Sequence, residues 1–155
     1  MAYIALTKGK MAEVDEADFA LVSGIKWHAH RDWLSGSFRA MRHVPGTRNK
    51  TEELSCFLVG KRDGYVLDHK NRNQLDYRRE NLRWATKQEN CRNRIRKSSL
   101  CPGVFRNGAK FSSRINIGNG IRKFLGSFDT KEAAHQAYVL ASKQHFGEFS
   151  PFAHV

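Results

Sequence analysis

The sequence predicts an α+β fold made of two small units, and three observations lead to this prediction. Short strand candidates alternate with turn signals through most of the 155 residues. Two capping-box spacings, one beginning at Thr86 and one at Asp129, each predict a helix directly after strands. A short polar segment that ends at Pro102 is typical of a linker. We therefore expect a first unit at residues 1–94, a basic linker at 95–102 and a second unit at 103–150.

The first unit begins with a strand at 3–6 and a helix at 15–22 that Gly24 ends. Strands at 25–29 and 37–42 follow, joined by a turn that contains Gly36. A strand at 65–68 then enters the polar loop KNRNQLDYRREN, and 82–85 is its antiparallel partner. A helix over 86–94 completes an order of strand, loop, strand and helix.

The second unit has strand candidates at 103–106, 110–117 and 122–128. They are separated by the turns Asn107-Gly108 and Gly118-Asn119-Gly120, which are typical of hairpins. A helix that starts at Asp129 and stops at Gly147 carries a stripe of alanines. We expect a three-stranded antiparallel sheet packed on this single helix.

The net charge is +12, with 27 Lys and Arg against 15 Asp and Glu, and the pI is about 10.0. This excess favours a polyanionic partner, most plausibly nucleic acid. Between Cys91 and Gly126 there are nine cations and no acids. A passive surface more often mixes both signs. We expect these nine to contact DNA: Arg92, Arg94, Arg96, Lys97, Arg106, Lys110, Arg114, Arg122 and Lys123.

Membrane and secretory classes are not favoured. The longest apolar runs fall far short of the roughly 20 residues that span a bilayer, and the start, MAYIALTKGK, lacks a secretory apolar segment. Cys56, Cys91 and Cys101 form no CxxC pair, so no structural zinc is expected. Three cysteines cannot all pair within one chain, which favours a reducing, cytoplasmic location.

Four polar side chains could carry chemistry. Asp68 and His69 end a strand, and Asn81 and Asn90 follow in the loop and on the predicted helix. Carboxylate and amide oxygens suit Mg²⁺ or Mn²⁺, and a neutral imidazole can take a proton from water. Together they could hydrolyse a phosphodiester. Singly they are ordinary, since asparagines in polar loops usually form turns, so spacing alone leaves a structural interpretation open.

The stretch VLDHKNRNQLDYRRENLRWATKQENCRNR resembles the HNH endonuclease family, in the version found in phage homing endonucleases and free-standing phage HNH proteins. The resemblance implies a ββα-metal fold, with Asp68 and Asn90 as ligands of one divalent ion, Mg²⁺ or Mn²⁺. It implies that His69 is the general base and that Asn81 positions this histidine. The segment IALTKGKMAEVDEADFALVSGIKW is similar to the region that often precedes this motif in phage proteins.

This chain departs from the family pattern at three places near the site. Arg72 stands where relatives commonly have glycine, and Tyr77 where they commonly have asparagine. Ser55-Cys56 replaces a frequent His-Arg pair. These changes affect the loop and its DNA contacts and leave the metal and base positions filled.

Residues 103–149 resemble the DNA-binding domain of plant ethylene-response (apetala-type) transcription factors, a module also attached to many phage HNH proteins. The resemblance implies a sheet that lies in the major groove of double-stranded DNA. Phe111 stands where that family usually has tryptophan.

The expected protein is a DNA endonuclease of a phage-infected bacterial cytoplasm. The alternatives are a DNA-binding regulator that does not cut, and an RNA-binding or structural nucleoprotein. The sequence does not indicate an oligomeric state.

Overall fold

A computed structural model describes residues 1–33, 35–95 and 101–154. The chain divides into two compact units, Met1–Lys87 and Gln88–Val155. The sequence analysis instead placed the helix at 86–94 in the first unit. Within the second unit the Arg92 guanidinium lies 4.9 Å from the Phe146 ring centroid, and a side chain at Gly118 would meet the amide of Gln88. These contacts explain why most of the helix groups with the second unit.

The first unit contains three small antiparallel sheets and two short helices. The sheets are a β1–β2 hairpin, a three-stranded β3–β4–β5 sheet and a β6–β7 hairpin. In chain order the elements are β1 (Ala2–Ala5), β2 (Met11–Val14), α1 (Glu16–Val22), β3 (His28–Arg31), β4 (Phe38–His43), β5 (Thr51–Glu53), α2 (Leu54–Val59), β6 (Val66–His69) and β7 (Leu82–Ala85).

Most of the strands and helices expected in this unit are present, and β7 has the expected bounds. The sequence interpretation missed β2, β5 and α2. Strand β5 is only three residues long and polar, and α2 is a six-residue apolar run without a side-chain cap. A short apolar run does not distinguish a helix from a strand by its periodicity. Tertiary packing around the buried Leu54 decides that α2 is helical.

The core of the first unit lies between the N-terminal hairpin, α1 and the β3–β4–β5 sheet. Trp27, Leu54 and Tyr77 are among its largest buried side chains, each at most 3% exposed. The Trp27 indole donates a hydrogen bond to the Val22 carbonyl at 3.1 Å and meets the Phe57 ring edge-on at 5.7 Å. Tyr77 belongs to the loop between β6 and β7, so this core also supports the loop.

The second unit contains the expected antiparallel meander, with strand order β10–β9–β8, and a 16-residue helix. The helix packs on all three strands. Its N-cap is Thr130, whose Oγ1 accepts from the Ala133 amide at 3.2 Å, so the expected cap at Asp129 was wrong by one residue. The elements are α3 (Lys87–Arg92), β8 (Val104–Asn107), β9 (Lys110–Gly118), β10 (Ile121–Phe128) and α4 (Lys131–Phe146).

A glycine at the start of the meander permits close packing on α4. Gly103 has a φ of +77°, and a Cβ at this position would come within 1.9 Å of the Tyr138 ring. Glycine adopts a positive φ without steric cost and leaves room for the ring. In the part of the chain that the structure describes, we find no helix with both the length and the apolar character needed to cross a bilayer.

Candidate active site

The β6–β7 hairpin places two of the predicted site residues at one end of a strand. Asp68 and His69 are the last residues of β6 and are 6% and 7% exposed. In the antiparallel register, Asp68 is opposite Arg83 and His69 is opposite Leu82. Successive strand residues point to opposite faces, so the carboxylate and the imidazole leave the hairpin on different sides.

On one face Asp68 forms a buried ion pair with Arg83. Arg83 Nε and Nη2 both donate to the same carboxylate oxygen, Oδ2, at 2.9 and 2.7 Å. The two side chains are 6% and 7% exposed. Sequence reasoning missed Arg83, because pairing the expected strands 65–68 and 82–85 end to end places Leu82 across from Asp68, and the observed register differs by one residue.

On the other face His69 packs against Tyr77, with ring centroids 5.3 Å apart and an edge-on geometry. The Tyr77 hydroxyl accepts from the Ala40 amide of β4 at 2.7 Å, which fixes the aromatic ring. Burial lowers the pKa of His69, and the nearby carboxylates of Glu53, Asp68 and Asp76 offset this only in part. The imidazole is therefore neutral near pH 7, the form that accepts a proton.

Asn81 holds the backbone that directly follows His69. Its Oδ1 accepts from the Asn71 amide at 3.0 Å, and its Nδ2 donates to the Asp76 carbonyl at 2.8 Å. Its own carbonyl accepts from the Lys70 amide at 2.9 Å. Asn81 is 5% exposed. These three bonds fix both ends of the 70–81 loop, so Asn81 can orient the histidine through the backbone.

Asp76 is the charged centre of the same loop and is 1% exposed. Arg78 donates to it from Nε, Nη2 and the backbone amide, and Asn71 donates from its side chain, all within 3.2 Å. Burial raises the pKa of Asp76, but the Arg78 and Asn71 hydrogen bonds outweigh it and the net pKa is lowered. The buried carboxylate is therefore ionised. Sequence reasoning treated it as an ordinary loop residue.

The N-terminal elements hold the loop from outside. The Glu13 amide donates to the Leu75 carbonyl at 2.7 Å, and the Tyr77 amide donates to the Glu13 carbonyl at 2.8 Å. The Arg79 guanidinium takes both oxygens of Asp18, from Nε and Nη2, at 2.8 Å each. The N-terminal region thus acts as a scaffold for the loop between β6 and β7.

Arg72 adopts a left-handed backbone conformation, with a φ of +66°. This explains why the resembled family commonly has glycine at the position. The left-handed conformation costs a residue with a Cβ roughly 1–2 kcal/mol. Glycine avoids this cost, but its larger conformational entropy in the unfolded chain offsets part of the stability that it gains.

We expect Arg72→Gly to unfold at a higher urea concentration than Arg72→Ala, by about 0.5–1 kcal/mol in the free energy of unfolding. Both variants lack the arginine side chain, so their difference isolates the backbone conformation. An alanine variant as stable as the glycine variant would show that the left-handed conformation carries no strain here.

The oxygen donors near the hairpin suit a hard divalent cation. Across residues 1–33, 35–95 and 101–154, no group of three or more His, Cys, Asp or Glu side chains is placed to hold a metal ion. The HNH set needs only one carboxylate and one amide, since Mg²⁺ keeps several waters and takes substrate phosphates as further ligands. Asp68 fits this chemistry. Asn90, the second expected ligand, lies on α3 within the second unit.

The register divides the expected DNA-contacting residues of the sheet between its two faces. Arg114 and Arg122 are on the face away from α4, because Arg114 alternates with the buried Ile115 and Arg122 is opposite Asn116. Lys110 shares the face of Arg114 and forms an exposed ion pair with Asp129 at 3.1 Å. Lys123 is opposite Ile115, and Arg106 is two residues from the buried Val104, so both are on the helix side.

Exposed aromatic rings flank Arg114 on the open face. Its guanidinium lies 5.6 Å from the centroid of Phe105, and Phe124 is directly opposite it on β10. Phe105 and Phe124 are 50% and 58% exposed. Sequence reasoning missed both rings. Large apolar residues on the same face of the sheet as Arg114 are the sequence signal that could have indicated them.

Two of the remaining expected DNA-contacting cations, Arg92 and Arg94, lie at or just after the end of α3. Arg92 is half-buried over the Phe146 ring, so it packs within the second unit. Arg94 is exposed. Arg96 and Lys97 lie outside the described residues.

A family profile and a viral protein both match this chain. A family profile described as HNH endonuclease matches residues 60–92, which contain β6, β7 and α3. A protein of Acanthamoeba polyphaga mimivirus, described as an uncharacterized HNH endonuclease, is 34% identical over 146 residues. That alignment covers 92% of this chain and 74% of the viral protein. The similarity thus extends through both units.

Proposed function

Because the chain belongs to the HNH endonuclease family, we propose that it is a divalent-metal-dependent DNA endonuclease. The observation that carries the proposal is the end of β6, where a buried aspartate and a buried histidine with a lowered pKa are adjacent. A passive loop has no need for this pair. The substrate is a phosphodiester bond of double-stranded DNA.

In this proposal each side chain has a separate task. Asp68 and Asn90 would hold one Mg²⁺ or Mn²⁺ ion, which when bound neutralises charge on the phosphate and the leaving oxygen. His69 takes a proton from the attacking water, a task that its lowered pKa permits. Asn81 positions His69 through the 70–71 backbone.

A second candidate is a DNA-binding protein that does not cut. The buried Asp68–Arg83 ion pair favours it, since that pair satisfies the carboxylate without an ion. Supercoiled plasmid incubated with the purified chain in Mg²⁺, in Mn²⁺ and in EDTA separates the two. The proposal expects nicked or linear DNA with an ion and none with EDTA or for Asp68→Asn. A DNA mobility shift without cleavage in either ion would support the second candidate.

We further propose that the open face of the β8–β9–β10 sheet docks DNA. Arg114 and Arg122 share this face with two exposed aromatic rings, and acids are absent from all three strands. Arginine can pair with guanine edges and can also contact phosphate.

The docking proposal predicts that Arg114→Ala weakens DNA binding about tenfold and reduces the salt dependence by about one ion. Fluorescence anisotropy of a labelled duplex at several salt concentrations measures both. Lys143→Ala removes an exposed cation from α4 and is the matched control. Equal losses for the two variants would indicate that only net charge matters and would contradict docking by this face.

A further inference from the structure

We propose that Phe105 and Phe124 contact the 5-methyl groups of thymine bases on either side of a guanine in the major groove of duplex DNA. This inference rests on the proposed docking of DNA by the open face of the β8–β9–β10 sheet, and it names the bases that this face selects. Neither ring takes part in the proposed cleavage chemistry.

The two rings lie outside the apolar core of their own unit. Phe105 and Phe124 are 50% and 58% exposed, on the face of the sheet away from α4. On the opposite face, Val104 and Ile115 are at most 3% exposed and supply the core contacts. Single exposed apolar residues are ordinary, but large ones grouped on one face mark a binding surface.

Both rings border the arginine that we expect to contact a base. Phe124 is directly opposite Arg114 on β10. Phe105 is diagonal to Arg114 on β8, because it pairs with Ser112. The Arg114 guanidinium lies 5.6 Å from the centroid of the Phe105 ring. A cation at this distance is attracted to an aromatic ring, so the ring restricts the directions in which the guanidinium points.

The charge of the open face favours a polyanion over an apolar protein partner. The exposed Arg114 and Arg122 share the face with the rings, and the three strands contain no Asp or Glu. The register also shifts directly after Phe124, so that pairing skips Leu125. Such bulges bend a strand and re-aim side chains next to functional sites.

The major groove of DNA presents polar and apolar groups that match this cluster. A guanine edge accepts two hydrogen bonds from an arginine, and a thymine presents a methyl group that phenylalanine can contact. Directly opposite and diagonal side chains of a sheet are about 5 and 7–8 Å apart. These separations correspond to roughly one to two base-pair steps of about 3.4 Å. The rings can therefore contact thymines next to the guanine that Arg114 would bind.

Replacing thymine by uracil tests the inference without relying on cleavage. Fluorescence anisotropy of the full chain in EDTA compares a labelled duplex of TTG repeats with the same duplex carrying deoxyuridine for thymidine. Uracil keeps the hydrogen-bonding groups of thymine and lacks only the methyl group. We expect the uracil duplex to bind at least about fourfold more weakly, the value for one buried methyl group. A variant with both Phe105→Ala and Phe124→Ala should bind the two duplexes equally.

Leu140→Ala is the matched control, because it removes an apolar side chain that is 66% exposed on α4 of the same unit. It should keep the full difference between the two duplexes. A difference that persists in the double phenylalanine variant overturns the inference, because the methyl group then acts through DNA shape. Tighter binding of the single TTG strand than of the duplex also overturns it, in favour of stacking on unpaired bases.

The comparison of the two duplexes with the parent chain needs no variant, so a folding defect cannot obscure it. Equal binding of both duplexes, with an affinity that still depends on Arg114, overturns the inference and leaves the docking proposal in place. If the parent chain binds neither duplex, the docking proposal fails as well.

Discussion

Replacing His69 by alanine should lower the rate of DNA cleavage by about 10²–10⁴-fold at saturating DNA and metal. The imidazole is the proposed base, and it is buried, has a lowered pKa and is next to the proposed metal ligand. DNA affinity should change little, since the removed side chain is 7% exposed and uncharged at pH 7. Single-turnover cleavage and anisotropy measure the two quantities.

His28→Ala is the matched control for this variant. His28 also has a pKa lowered by burial and by the neighbouring His43, but it lies on β3, apart from the hairpin. It should cleave at the parental rate. A His69→Ala protein that folds and keeps more than about a tenth of the parental rate would show that His69 is not the base.

Replacing Asp76 by asparagine should reduce the free energy of unfolding by about 3 kcal/mol, the lower part of the range for breaking a buried ion pair. The lower part applies because the Arg78 side chain remains 24% exposed. An amide at this position would direct its NH₂ group at donors of Arg78 and Asn71. Urea denaturation followed by circular dichroism measures the change.

Glu80→Gln removes another carboxylate from the same guanidinium and is the control. Glu80 is 73% exposed, so its loss should cost less than about 1 kcal/mol. Because the pKa of Asp76 is lowered on folding, its contribution is present above the unfolded value near 3.9 and is lost as the pH falls below it. The Asp76→Asn variant should therefore lose less stability between pH 5 and 2. Equal costs for the two variants would contradict a central role for Asp76.

Local sequence signals predicted the elements that are bounded by clear turn or capping residues. The hairpin of β9 and β10 follows from a glycine-rich turn, and α4 ends where Gly147 adopts a positive φ. Strand β5 and helix α2 lack such signals and depend on packing around Leu54 and Trp27. Alternation along a strand shows which residues share a face, but only the strand register shows which face packs on the helix. Arg106 and Lys123 are exposed cations that the register places on the helix side of their sheet.

The motif indicated candidate site residues but not the contacts that hold them in place. The hairpin and its loop position Asp68, His69 and Asn81, with the first two side chains on opposite faces of β6. Their supports are Arg83, Tyr77, Asp76 and the N-terminal strand β2, whose Glu13 carbonyl accepts from the distant Tyr77 amide. Spacing along the chain gives no direct information on such pairs. Arg72 is the exception, because its departure from glycine marked a backbone position that the structure shows at positive φ.

A crystal structure of His69→Ala with duplex DNA and Mn²⁺, located by its anomalous signal, tests the central claim most directly. The account predicts one ion about 2.1 Å from a carboxylate oxygen of Asp68 and from the amide oxygen of Asn90, in contact with a DNA phosphate. An ion bound elsewhere, or DNA bound only to the second unit with no ion at Asp68, would contradict it.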